Sequence, residues 1–399
     1  MVQVKVRKIR IHTVKINQFF IVLSVIVSML FSSRYFFELK FDSLLLKNIL
    51  TVSLMFLAYL ITQKRRIKFF KLTVNICAIY FGILLIVVTT FQSLGVILSV
   101  LNYFLWILFA YVFILSVLIK MDLNDIYLLA KRLINCSLFL IILMSLLAIC
   151  EGDGIFTHQN RLSGPFSNPL NFASFIFFIY SLLFLFSTNY SRFLFFLLSI
   201  LLLCALALSQ SRTYFLVALV LFISDYIFLR FRWVSLKFYV FGVVLFPLVI
   251  LLSIFFLTLS EIYFNLMDAV LSGRISLWVD VLSKFNDRNS TGFDILFGDS
   301  NINSGATGRI SLDNTFLDIT FSAGIIGLLL YLYLSGTTAV FLYRNIVKNR
   351  EDGARAFMIF ISVFLTGFTY AGSAYLANLV SLFIVPMCIA VSFKISRKY

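Results

Sequence analysis

The chain has 399 residues, of which 61% are hydrophobic, 17% aromatic and 13% charged, with a mean hydropathy of +1.03. So small a charged fraction excludes a soluble globular domain and predicts an all-α, polytopic integral membrane protein. The net charge of +16 would suit nucleic acid, a reading that holds only if the basic residues ignore the two sides of a membrane.

They do not ignore them. The basic opening "MVQVKVRKIRIHTVK" is followed by an apolar run without a small-residue cleavage site, so it reads as a retained anchor. Twelve runs are long and apolar enough to span, near 17–33, 44–62, 72–91, 94–119, 133–150, 170–187, 193–210, 213–229, 237–258, 314–334, 355–371 and 374–393. With a cytoplasmic N-terminus and alternating loops, 24 Lys and Arg fall inside and nine outside, against five acidic residues inside and 12 outside. Both termini are therefore expected in the cytoplasm, and the basic excess is topology rather than nucleic-acid binding.

The expected organisation is one integral membrane domain. Residues 1–258 carry nine spans with a short outer loop at 151–171, residues 259–313 form a large outer loop, and 314–399 carry three more spans. Within the large loop, Tyr263 to Phe285 has apolar residues recurring at three and four. This predicts amphipathic helices on the outer membrane surface, with a break at Gly273. The five cysteines, Cys77, Cys136, Cys150, Cys204 and Cys388, lie in apolar runs with neither disulfide nor metal spacing.

On the outer face, poor in cations, Arg161, Arg212, Arg274 and Arg309 stand out. Arg212, in "LALSQSRTYFLVALV", occupies a turn too tight to leave the bilayer surface. It either snorkels or faces a polar cavity. Several guanidinium forks on one face suit a diphosphate, since each fork can bind two oxygens. Among the outer carboxylates, Asp313 in "SLDNTFLDITFSAGIIG" stands where the chain enters the membrane. Burial there raises a carboxylate's pKa toward base duty, while an N-cap role for Asp313 or Asn314 is the competing structural reading. Only His12 and His158 exist, on opposite predicted faces, and no Asp-x-Asp pair is present. No metal site and no cofactor are expected, and arginine is the available electrophile.

Four segments carry a family resemblance. "DNTFLDITFSAGIIG", with Asp313 and Gly324 ten positions apart in the intervening sense, resembles the end of the large periplasmic loop in the O-antigen ligase and polymerase superfamily. "RLSGPFSNPLNFASF" (161–175) resembles its Arg-x-x-Gly-x-Phe-x-Asn-Pro segment, "SQSRTYFLVALV" its Ser-Arg-Thr segment, and "SGRISLW" its Gly-Arg-x-x-x-Trp segment. Where the family's ligases usually carry His, this chain has Asp313, which turns the expectation toward the polymerase branch.

The resemblance implies a GT-C-like membrane glycosyltransferase of the bacterial inner membrane with its active site on the periplasmic side. Its donor and acceptor would be undecaprenyl-diphosphate-linked glycans, with a flippase and a chain-length regulator as possible partners. It further implies that Arg161, Arg212 and Arg274 hold the diphosphate and Asp313 orients or deprotonates the acceptor hydroxyl. Arg309, Asn314 and Trp278 would then line the substrate. A ligase acting on lipid A–core and a lipid-linked-oligosaccharide flippase are the competing classes.

Overall fold

The computed structural model describes residues 2–31, 33, 50, 53–54, 56–58, 113–151, 155–156, 161–166, 168–230, 276, 296, 315–346, 350–367 and 383–396. Among these residues the structure is helical and contains no strand, only two isolated bridges, Ser33 with Phe166 and Phe156 with Leu162.

Nine α-helices are delimited: α1 Val2–Phe31, α2 Leu115–Lys120, α3 Leu123–Cys150, α4 Pro169–Leu185, α5 Arg192–Leu208, α6 Arg212–Arg230, α7 Thr315–Ile346, α8 Arg350–Thr366 and α9 Val385–Ser396. Among the described residues three stretches are long and apolar enough to cross a membrane, Val14–Phe31, Leu123–Cys150 and Gly324–Arg344. Of the remaining expected spans, 170–187 and 193–210 fall on the shorter apolar helices α4 and α5, 213–229 falls on the 19-residue α6, and the others lie wholly or partly outside the described residues.

The helix starts follow local chemistry. The backbone N–H of Asp122 donates to the Asp125 carboxylate at 3.3 Å, which closes the first turn of α3. Asn168 caps α4 by accepting from the Leu170 N–H at 2.8 Å, with Pro169 as its first residue. Ser191 caps α5 through the Leu194 N–H.

Helix α4 is the centre of the bundle. Every residue from Phe172 to Leu185 is buried, as a helix apolar on all sides requires. It packs against α3, α5, α6 and α8. The surrounding helices turn large apolar side chains outward, among them Phe139 of α3, Phe193 of α5 and Leu329 of α7, each at least 60% exposed. Apolar surface of this extent suits hydrocarbon rather than water.

The described contacts sort the loops onto two ends. At one end the Tyr127 hydroxyl of α3 donates to the Asn189 carbonyl, Asp352 of α8 bonds the Thr188 side chain, and Asp225 of α6 pairs with Arg355 of α8. At the other end Leu162 is bonded to Leu208 and Ser33 bridges Phe166. The first is called here the charged end and the second the arginine end.

Two features differ from the sequence reading. Arg355, one of the 24 basic residues expected on the inner side and the first residue of the expected span 355–371, is 2% exposed inside the bundle. The expected span 314–334 is broken, because Gly324 adopts φ 68°, ψ −174° within α7. That backbone region is essentially closed to residues with a Cβ. The ring of Phe316, eight residues before the break, lies 5.9 Å from that of Tyr331, seven residues after it. A straight helix would hold them about 22 Å apart. The chain therefore bends by more than a right angle at Gly324, and the span-length apolar stretch is Gly324–Arg344 instead. An apolar run shows no such break by letter, since glycine is common within spans.

Candidate functional site

The arginine end brings together two of the motif segments, and most of their letters build the fold. Ser163 and Gly164 both donate their backbone N–H to the Ile155 carbonyl, at 3.0 and 3.1 Å, which ties 163–164 back onto 155. Gly164 has φ +54°, and a Cβ there would stand 2.9 Å from two ring atoms of Phe172. Only glycine accepts both the left-handed backbone and the approach. Phe166 is fully buried and stacks on Phe175, ring centres 4.8 Å apart and 12° from parallel. Asn168 and Pro169 start α4. Of the letters that carry the resemblance in this segment, Arg161 is the one whose side chain leaves the loop to meet another segment. It remains half-buried.

Arg161 reaches across to the second segment. Its Nε donates to the Ser209 carbonyl at 3.3 Å, and the neighbouring Leu162 N–H donates to the Leu208 carbonyl at 2.9 Å. The turn it meets is tightly made. Ser209 and Ser211 are buried, the Ser209 hydroxyl donates to the Leu206 carbonyl, and it accepts from the Ser211 N–H. Between them Gln210 holds φ +54°, a left-handed conformation uncommon for a residue with a side chain. Arg212 follows as the first residue of α6 and is exposed.

A cation is disfavoured at the start of a helix, where the macrodipole already places positive charge, by about 0.3–1 kcal/mol. Helix stability therefore does not account for arginine at this position. A helix start that also carries a guanidinium, with a second guanidinium on the adjoining loop, is an arrangement suited to an anion.

The rim of this end includes the first turn of α7. Phe316 meets Phe364 at 5.4 Å, two residues before the end of α8. Because α8 starts at the charged end, this contact places Thr315 beside the arginine end. Asp313, Asn314, Arg274, Trp278 and Arg309 lie outside the described residues, so of the seven site positions read from the sequence the structure brings together Arg161 and Arg212. The left-handed Gln210 was not legible, since the turn contains no glycine to signal it.

No curated protein matches the chain. Residues 197–332 match the family model described as O-Antigen ligase, a stretch that takes in Arg212, Arg274, Arg309 and Asp313 and ends within α7. Among the described residues that stretch covers most of α5, all of α6 and the start of α7, and the turn between α5 and α6 is the one on which Arg161 docks. That match supports membership of the chain in the O-antigen ligase/polymerase superfamily, whose four segments the sequence resembles.

Proposed function

We propose that this chain is an O-antigen polymerase-type membrane glycosyltransferase. It lengthens a glycan carried on undecaprenyl diphosphate by transferring it to a lipid-linked repeat unit. The acceptor hydroxyl oxygen attacks the anomeric carbon, the bond from that carbon to the diphosphate oxygen breaks, and the hydroxyl proton passes to Asp313. The diphosphate leaves with its extra negative charge held by Arg161, Arg212 and Arg274, which act in place of a metal. Arg309, Asn314 and Trp278 line the sugar path. The excess of Lys and Arg in the alternate loops makes the arginine end the periplasmic one and the charged end cytoplasmic.

The observation that carries this reading is the docking of the Arg161 segment on the turn that begins α6 at Arg212. It joins two motif segments about 50 residues apart in sequence and leaves a guanidinium on each. The test is purified protein in lipid, supplied with synthetic undecaprenyl-diphosphate-linked repeat units and with lipid A–core. Polymerase activity gives a ladder of lengthened lipid-linked glycans. Transfer to lipid A–core without lengthening assigns a ligase instead, and relocation across vesicles without a new glycosidic bond assigns a transporter.

A further inference from the structure

A buried ion pair joins two helices at the end opposite the proposed site. The Nε of Arg355 on α8 donates to Oδ1 of Asp225 on α6 at 3.0 Å, and the two side chains are only 3% and 6% exposed. Asp352, one turn earlier on α8, stands 3.8 Å from the same guanidinium and also bonds Thr188, in the short turn after α4. The contact thus ties α6, α8 and the end of α4 at one point, and these three helices pack against one another.

A buried ion pair is a poor source of stability, because desolvation offsets most of its attraction, but it is demanding in geometry. An apolar contact tolerates sliding, whereas a guanidinium facing a carboxylate does not. Arg212 and Asp225 are 13 residues apart on one helix, about 20 Å. At its other end the same helix begins at the Ser209–Ser211 turn and makes an apolar contact, Tyr214 against Phe177 of α4, ring centres 5.2 Å apart. Without the pair, the apolar faces of α6 and α8 would allow rotation or sliding of α6, and Arg212 would move with it.

Resting on the reading of the arginine end given above, we infer that the Asp225–Arg355 pair is a positioning anchor: it fixes the height and rotation of α6 and so places the Arg212 guanidinium against the departing diphosphate. It touches no substrate. Its effect falls on the geometry of the transition state rather than on the affinity of the lipid and sugar.

The experiment uses full-length protein in lipid nanodiscs, with spin labels on cysteines introduced at Leu216 of α6 and Leu329 of α7, both of which face outward, in a background without the native cysteines. Three variants are compared: Asp225→Asn, Arg355→Lys, and the double apolar Asp225→Leu with Arg355→Leu. The double variant removes both fully buried charges, leaving Asp352 part-exposed with its bond to Thr188, and so inserts even if the single neutralisation does not. Both neutralised forms are expected to shift or broaden the interlabel distance and to lose about 10–100-fold in kcat, with KM within about twofold. Arg355→Lys, which keeps the charge, is expected to stay nearer the parent on both readouts. A parent-like distance in a neutralised variant that inserts at parental level overturns the anchor, whatever its rate. If Arg212→Ala polymerises normally, the reading of the site fails instead, and the distance still decides the anchor.

Discussion

Gly164→Ala tests whether the loop bearing Arg161 is built as described. The backbone at 164 has φ +54°, where a residue with a Cβ loses about 1–2 kcal/mol. The added carbon would also stand 2.9 Å from two ring carbons of Phe172, which is 4% exposed and packed in the first turn of α4. Phe172 cannot swing into open space, so overpacking adds about 1–3 kcal/mol. The sum, about 2–5 kcal/mol, is a sizeable part of a typical folding free energy of about 5–15 kcal/mol. At about 2 °C per kcal/mol for a long chain, it corresponds to a fall of roughly 4–10 °C in the thermal midpoint of the purified protein. Two further variants separate the causes. Gly164→Asn relieves part of the backbone cost but keeps the clash, and Gly164→Ala with Phe172→Leu relieves the clash but keeps the backbone cost. Each is expected to recover part of the loss. An unchanged midpoint in Gly164→Ala would refute the account of this loop and, with it, the fixed approach of Arg161 to Ser209.

Arg212→Ala is expected to lose about 10²–10³ in turnover of lipid-linked repeat units, as removal of a donor at a developing anion does. Arg212→Lys recovers little of it, since an ammonium lacks the two-pronged geometry, and normal turnover in the Lys variant would reduce Arg212 to a snorkelling anchor. For Asp313, Asn should inactivate if the carboxylate takes the acceptor proton and should be nearly silent if it only caps a helix, because Asn caps as well as Asp. Glycan ladder length at matched protein level decides between these. Burial, with Glu351 adding to it, raises the Asp352 carboxyl above its ordinary range, against the opposing pull of Arg355 and Thr188. The ionised form therefore costs stability at neutral pH, and this cost disappears as pH falls through the raised pKa and below the ordinary range. Asp352→Asn should thus compare best with the parent near pH 7 and lose that relative advantage on acidification, and a thermal-midpoint difference that grows toward acid pH would contradict the assignment.

What could be read in the sequence and what could not divide along physical lines. Apolar runs were readable because hydrocarbon demands about 20 such residues: the runs at 170–187, 193–210 and 213–229 fall on α4 to α6 with small shifts at their ends, while the run at 133–150 lies within α3, which starts ten residues earlier at Leu123. Local signals were readable too: Asn168 and Pro169 announce a helix start, and α4 begins there. Long-range partners were not. Asp225 and Arg355 are 130 residues apart, and each alone looks like a charge near the inner end of a span. Pairing appears only when α6 and α8 are laid side by side. The bend at Gly324 escaped for a different reason. A glycine in an apolar stretch is as consistent with close helix packing as with a reversal, and only its backbone angles choose.

The same division bears on how the motif residues should be weighed. In "RLSGPFSNP" the structure gives Gly164, Phe166, Asn168 and Pro169 purely local duties: a left-handed turn, a stacked core ring, a cap and a helix start. In "SQSRT" the two buried serines shape the turn that receives Arg161. Each motif thus consists of several residues that hold a backbone in place and one arginine that the backbone presents. Gly324 repeats the pattern, since its backbone reverses the chain and brings the start of α7, directly after Asp313 and Asn314, to the same rim. On the proposed function, a lipid-linked diphosphate would be confined to the plane of that rim by its hydrocarbon tail, and loop residues that fix arginines at one height would do much of the orienting that a soluble enzyme achieves with a closed pocket. Motifs this short would then suffice, because the membrane restrains such a substrate in one dimension and a few rigid turns restrain it in the others.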